Sequence, residues 1–158
     1  AAILRDAFAE NGGIVRSERL HVTLAITDDY RERPARVVDR LLAIGDAVDV
    51  EPFALSLDRL SGNGGTIALR AGRTPPGLVS LQRQLDNQMR YWNVRRPNWS
   101  FNPHMTLVYR PHQEFIRPVE PLSWAATELV LIHSLVGRNR HAELGRWPLE
   151  QRQMELLV

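Results

Sequence analysis

The sequence predicts a single domain that mixes amphipathic helices with antiparallel β-hairpins, and three observations carry that prediction. Helical apolar stripes recur in three separate segments. Between them lie short runs of alternating apolar and polar residues, two of them joined to a partner run by a Gly-containing turn. The tetrapeptide pattern H-x-T-L occurs twice, at His21–Leu24 and His104–Leu107. At 158 residues the chain is long enough for one domain with a sizeable core.

The elements read in order as follows. Residues 1–10 predict a helix with Ile3, Leu4, Ala7 and Phe8 on one stripe, ended by Asn11-Gly12-Gly13. Ile14-Val15 suits a short strand, and a strand is predicted from about Leu20 to Thr27. A second helix is expected from about Pro34, with Val37, Val38, Leu41, Leu42 and Ile44 as its buried stripe. Pro52 to Leu57 alternates as a strand, the Ser61-Gly62-Asn63-Gly64-Gly65 turn follows, and Thr66 to Arg70 is the partner strand. That turn also resembles a phosphate cradle, but neither a helix start nor a Lys follows it. Thr74-Pro75-Pro76 opens a third helix with Leu78, Leu81, Leu85, Met89 and Trp92 facing the core. A strand enters through Pro103, which can neither rotate φ nor donate to a ladder. After the turn at Arg110-Pro111-His112, residues 125–136 predict a long strand and 142–149 a final one, with a hairpin loop between them.

The repeated motif carries the chemistry. On a strand, His21 and Thr23 share one face while Val22, Leu24 and Ile26 share the other. By the same alternation His104, Thr106 and Val108 lie together, and Met105, Leu107 and Tyr109 lie on the apolar face. One H-x-T alone is as well explained by a strand histidine beside a β-favouring threonine. With five His, six Thr and 21 Leu, chance supplies roughly 0.03 copies of H-x-T-L in the chain, so two copies 83 residues apart need a cause. Little else is shared between the halves, so two half-domains are expected to have diverged except at these motifs. Facing His-Thr pairs suit a phosphoester: one imidazole removes a proton, the other donates one, and each hydroxyl donates to a phosphate oxygen.

Composition narrows the alternatives. There is no Cys, which excludes disulfides and thiolate metal sites. All 20 basic residues are Arg, whose planar forks fit phosphate oxygens. A net charge of +2 favours a local phosphate site over a long nucleic-acid groove. No apolar run reaches membrane-spanning length and the first residues do not read as a signal peptide, so a cytoplasmic location is expected. His112, His133 and His141 have no acidic or His neighbour at ligand spacing, so no metal and no cofactor are expected. Tyr91 to Trp99 mixes aromatics with Arg ahead of the second motif. This suits base stacking at Trp99 as well as core packing and loop anchoring.

These features resemble the 2H phosphoesterase superfamily, and within it the RNA 2′,3′-cyclic phosphodiesterase branch, also called the 2′-5′ RNA ligase family. Arg19-Leu20-His21-Val22-Thr23-Leu24 and Asn102-Pro103-His104-Met105-Thr106-Leu107 are similar to its two strand motifs. Pro52-Phe53, Pro75-Pro76 and the ending Leu144-Gly145-Arg146-Trp147-Pro148-Leu149 are similar as well, so the resemblance covers nearly the whole chain. It implies an α+β fold of two pseudo-symmetric lobes, with antiparallel sheets around a central cleft and helices outside. It further implies His21 as proton donor, His104 as proton acceptor, and Thr23 and Thr106 as phosphate holders. The implied activity is metal-independent hydrolysis of RNA or nucleoside 2′,3′-cyclic phosphates to 2′-phosphates, by a monomer, with 2′-5′ ligation open to the same residues. A non-catalytic nucleotide or RNA binder of the same fold is the alternative.

There are two departures. The family opens with a strand, whereas this chain opens in a helical segment, so either residues ahead of Ala1 supply that strand or the first sheet is one strand short. Many relatives carry Arg five residues after the second His. Here Tyr109 stands there and Arg110 follows, so Arg110, on the histidine face, is expected to replace it as a substrate contact.

Overall fold

The computed structural model describes residues 13–109, 113–135 and 140–150. The helix expected over 1–10 and the contact expected from Arg110 lie outside the described residues. The elements run β1 (Gly13–Ile14), a single 3-10 turn (Ser17–Arg19), α1 (Ala35–Asp46), β2 (Phe53–Gly62), β3 (Thr66–Arg70), α2 (Pro76–Tyr91), β4 (Met105–Tyr109), β5 (Phe115–Ala126), β6 (Glu128–Leu135) and β7 (Arg140–Pro148). The class is α+β, with every registered strand pair antiparallel. Among the described residues no helix is long and apolar enough to cross a membrane.

The chain divides into two compact units that interleave along the sequence. The described residues of the first are 13–24, 55–74, 102–109 and 113–124, and both H-x-T-L motifs fall in it. Its framework is a five-stranded sheet in the order β1-β4-β3-β2-β5. Leu57, Leu60, Ile67, Leu69, Leu107 and Val108 are buried there to 1% exposure or less. Truncating one such side chain costs about 2–5 kcal/mol. In the turn between β2 and β3, the Asn63 side-chain oxygen accepts from the backbone N–H groups of Gly65 (2.9 Å) and Thr66 (2.8 Å). Those donors are thus committed to the turn itself, which argues against the phosphate cradle.

The described residues of the second unit are 25–54, 75–101, 125–135 and 140–150, and it holds α1, α2 and the paired strands β6 and β7. Leu78, Leu81, Leu85 and Met89 form the buried stripe of α2. The spacing of these residues specifies both the helix and the face it buries. Pro75 caps the helix and Pro76 opens it, where a missing N–H costs nothing. An added Cβ on Gly77 would lie 2.5–2.6 Å from the Phe53 side chain, so the helix start has no room for a side chain there. Asp86 on α2 accepts from Arg90 (2.7 Å) and from Arg95. Arg95 in turn donates to the carbonyl of Trp99 at 2.6 Å, holding the loop that follows the helix.

Two expectations change. The segment from Leu20 to Thr27 belongs to no strand. Alternation marks a surface with two faces, but a strand also needs a partner ladder, and this segment passes from one unit to the other between Leu24 and Ala25. Val22, Leu24 and Ile26 are accordingly only half-buried. The second change is β5, which was not expected. Pro118 and Pro121 lie inside it and its burial pattern is weak. It is the outer strand of the sheet, where prolines are tolerated because one side has no ladder to donate to.

Candidate active site

The two motifs meet in the first unit because β1 pairs with β4. Gly13 is registered with Tyr109 and Ile14 with Val108. The pairing is extended by Val15, whose N–H donates to the Leu107 carbonyl at 2.9 Å. Two hydrogen bonds then close the 3-10 turn, from Arg19 N–H to the Arg16 carbonyl and from Leu20 N–H to the Ser17 carbonyl. The chain leaves this turn in an extended conformation at Leu20 and delivers His21 and Thr23 beside β4. His104 directly precedes β4, which starts at Met105, and Thr106 is its second residue.

A hollow of about 90 Å³ results, lined by Val15, Arg19, His21, Thr23, His104, Thr106 and Tyr109. All four residues of the paired His-Thr motif are in that lining. Sites for drug-sized ligands run to roughly 300–1,000 Å³, so this one matches a single small group such as a phosphate, with any larger substrate extending outside. Its lining residues carry a guanidinium, two imidazoles and three hydroxyls, with no carboxylate. Such a set favours an anion.

Both imidazoles are held in the same way. Nδ1 of His21 lies 2.7 Å from the carbonyl oxygen of Arg19, and Nδ1 of His104 lies 2.7 Å from that of Asn102. In each case the partner is two residues upstream. A carbonyl only accepts, so each Nδ1 carries the hydrogen. The tautomer is fixed by that bond, and in each neutral ring Nε2 is the nitrogen without a hydrogen.

Tyr109 is on the other side from the one simple alternation gives. Along β3 and β4, Ile67 is registered with Val108 and Ala68 with Thr106, which leaves Leu107 as an extra residue. This bulge resets the alternation. Leu107 and Val108 are therefore both fully buried, while Tyr109 is 58% exposed and lines the hollow with Thr106. Val108, expected to share the histidine face, belongs to the core instead.

Arg19 and Val15 were not among the expected site residues. For Arg19 a signal existed: it precedes His21 by two and Thr23 by four, the period that puts strand residues on one face. Trp99 is half-buried in the second unit and is not one of the seven residues lining the hollow.

Comparison with known proteins bears on the family and the fold. Residues 4–138 match the family described as the 2′-5′ RNA ligase superfamily. Among solved structures, a protein described as a phosphoesterase is 28% identical with a TM-score of 0.76, over 94% of this chain and 90% of its own. LigT of Escherichia coli, in complex with 3′-AMP, is 29% identical with a TM-score of 0.76, over 95% of this chain and 89% of its own. TT0787 of Thermus thermophilus shares the fold with a TM-score of 0.75 at 19% identity, over 96% of this chain and 94% of its own. No curated protein matches.

Proposed function

Because the chain belongs to the 2′-5′ RNA ligase superfamily, the family of 2H phosphoesterases, we propose that it hydrolyses 2′,3′-cyclic phosphates at RNA ends or on nucleosides to 2′-phosphates, without a metal. One observation carries the reading. Two imidazoles with the same Nδ1-to-carbonyl bond line one phosphate-sized hollow, together with both threonines.

In the proposed step, neutral His104 takes a proton from water at Nε2 as the water oxygen bonds to phosphorus. The bond from phosphorus to the 3′ oxygen breaks, and protonated His21 delivers its Nε2 proton to that oxygen. The product carries a 2′-phosphate and a 3′-hydroxyl. Thr23 and Thr106 donate to the non-bridging oxygens, and Arg19 supplies a fixed positive charge for the pentavalent arrangement. Tyr109, at the rim, is placed to meet the part of the substrate outside the hollow. The same two histidines serve 2′-5′ ligation when a ribose 5′-hydroxyl takes the place of the attacking water. The complex of the similar LigT with 3′-AMP supports a nucleotide end as ligand.

The test is turnover of a nucleoside 2′,3′-cyclic phosphate in excess chelator. Formation of the 2′-phosphate, abolished in the double variant His21→Ala/His104→Ala, is expected. Tight binding without product would replace the enzyme by a nucleotide-binding protein.

A further inference from the structure

The two histidines share one local bond but differ in what stands behind it. Behind His104 is a chain of hydrogen bonds that runs from the segment leading into β4 to β3 and β2. Leu69 and Met105 are the last registered pair of β3 and β4, and Arg70 and His104 are the next residues on the two chains. The half-buried Arg70 donates from Nη1 to Oδ1 of Asn102 at 2.6 Å and from Nε to Oγ of Ser61 at 2.9 Å. Ser61, on β2, donates its own hydroxyl to the Ala68 carbonyl at 3.3 Å. The guanidinium therefore ties the run-in of β4 to the interior of the sheet.

Asn102 is the residue whose carbonyl accepts from His104 Nδ1. Pro103 stands between them and fixes φ at about −65°, while also restricting the backbone of Asn102. A restraint on the Asn102 side chain is thus passed to its carbonyl with little backbone freedom to absorb it. The first motif has Leu20 in the equivalent place and no such proline. Only a planar fork with two fixed donors reaches both Ser61 and Asn102 at once.

We propose that Arg70 is a positioning residue for His104: through Asn102 it aims the carbonyl that holds Nδ1–H and so keeps Nε2 as the proton-accepting nitrogen. This deepens the proposed hydrolysis and rests on His104 being its base. It also makes the two histidines unequal, with the acceptor held by the sheet.

The test pairs kinetics with nitrogen NMR of the two imidazoles. Arg70→Ala is expected to lower kcat on a nucleoside 2′,3′-cyclic phosphate about tenfold with KM within about twofold, because a misdirected base affects the chemical step. Arg70→Lys, with one point donor, should recover only part. In the ¹⁵N spectrum, His104 of Arg70→Ala should lose its Nδ1–H preference while His21 keeps its own as internal control. Asn102→Ala should reproduce the effect, and the double variant should be no worse than either single one, since residues acting in series are not additive. A rise in KM alone, an unchanged His104 tautomer, or full recovery in Arg70→Lys would overturn the proposal. If the wild type shows no turnover, the hydrolysis reading fails, and the His104 tautomer in Arg70→Ala or Asn102→Ala still decides the positioning role.

Discussion

Replacing His21 by Ala should separate the proton donor from the acceptor, provided two leaving groups are compared. His21 is exposed and its ring bonds the Arg19 carbonyl from the surface, so water can replace it there. The variant should stay folded, with loss of activity reflecting chemistry. A general acid is worth about 10²–10⁴ in rate, which is about 2.7–5.4 kcal/mol at 1.36 kcal/mol per factor of ten. That is the expected loss in kcat/KM on a cyclic phosphate, whose departing 3′ alkoxide needs a proton.

An aryl phosphodiester with an activated leaving group needs none. What His21→Ala then loses is one hydrogen bond to the phosphate, and Arg19, Thr23 and Thr106 still line the hollow. One such bond is worth about 1.5 kcal/mol at the low end for a charged partner, or roughly tenfold. The deficit should therefore shrink from about a thousandfold to about tenfold between the two substrates. His104→Ala should keep a deficit of about 10²–10⁴ on both, because the attacking water still needs a base. The assay is kcat/KM for both variants on both substrates, with binding measured separately. Equal deficits of His21→Ala on the two compounds would refute the donor role, and rescue in His104→Ala instead would reverse the two assignments.

Three further outcomes are expected. With one histidine neutral and the other protonated, kcat/KM should be bell-shaped in pH, and a flat profile over about pH 5–9 with chemistry rate-limiting would refute the pairing. Burial raises the Asp86 pKa, but hydrogen bonds from Arg90 and Arg95 outweigh it and hold the carboxyl below its ordinary range. Its stabilising effect is then present above the unfolded carboxylate pKa of about 3.9 and is lost as pH falls through the folded value. Asp86→Asn should cost about 1–3 kcal/mol at neutral pH, and a denaturant titration should show the gap to wild type closing in strong acid. At Gly45 an added Cβ would collide with the Trp147 ring, whose indole N–H donates to Asp46 at 2.7 Å. Gly45→Val should therefore lower stability by about 1–3 kcal/mol, read as a drop in Tm, and an unchanged Tm would mean that the ring moves aside freely.

The parts of this fold that were legible in the sequence are those whose signal is local. Helical stripes named Ile44 on α1 and Leu78, Leu81, Leu85 and Met89 on α2 as buried, although Trp92, expected on the same stripe, lies just past the end of α2 and is exposed, and the Asn-Gly turn named the β2–β3 hairpin. The four motif residues could be picked out because two rare patterns coincided, and they line one hollow. What was not legible depends on partners distant in sequence. Pro118 and Pro121 hide β5 until its place at the sheet edge is known. Tyr109 changes sides only because β4 is one residue longer than β3 where they pair. Alternation from Leu20 to Thr27 suggested a strand, but the chain there crosses between two units with no ladder of its own.

The bond from each imidazole to the carbonyl two residues upstream has a consequence for how such a site can vary. The acceptor is main chain, so the bond is made to an atom that every amino acid at positions 19 and 102 possesses. Side chains at these two positions do not make the bond themselves and can act on the site in other ways. In this chain they have gone separate ways: Arg19 brings a permanent charge to the lining of the hollow, and Asn102 offers a handle to Arg70. A two-fold repeated backbone device can in this way acquire two different side-chain surroundings, and an acid and a base can grow apart without either histidine having to change.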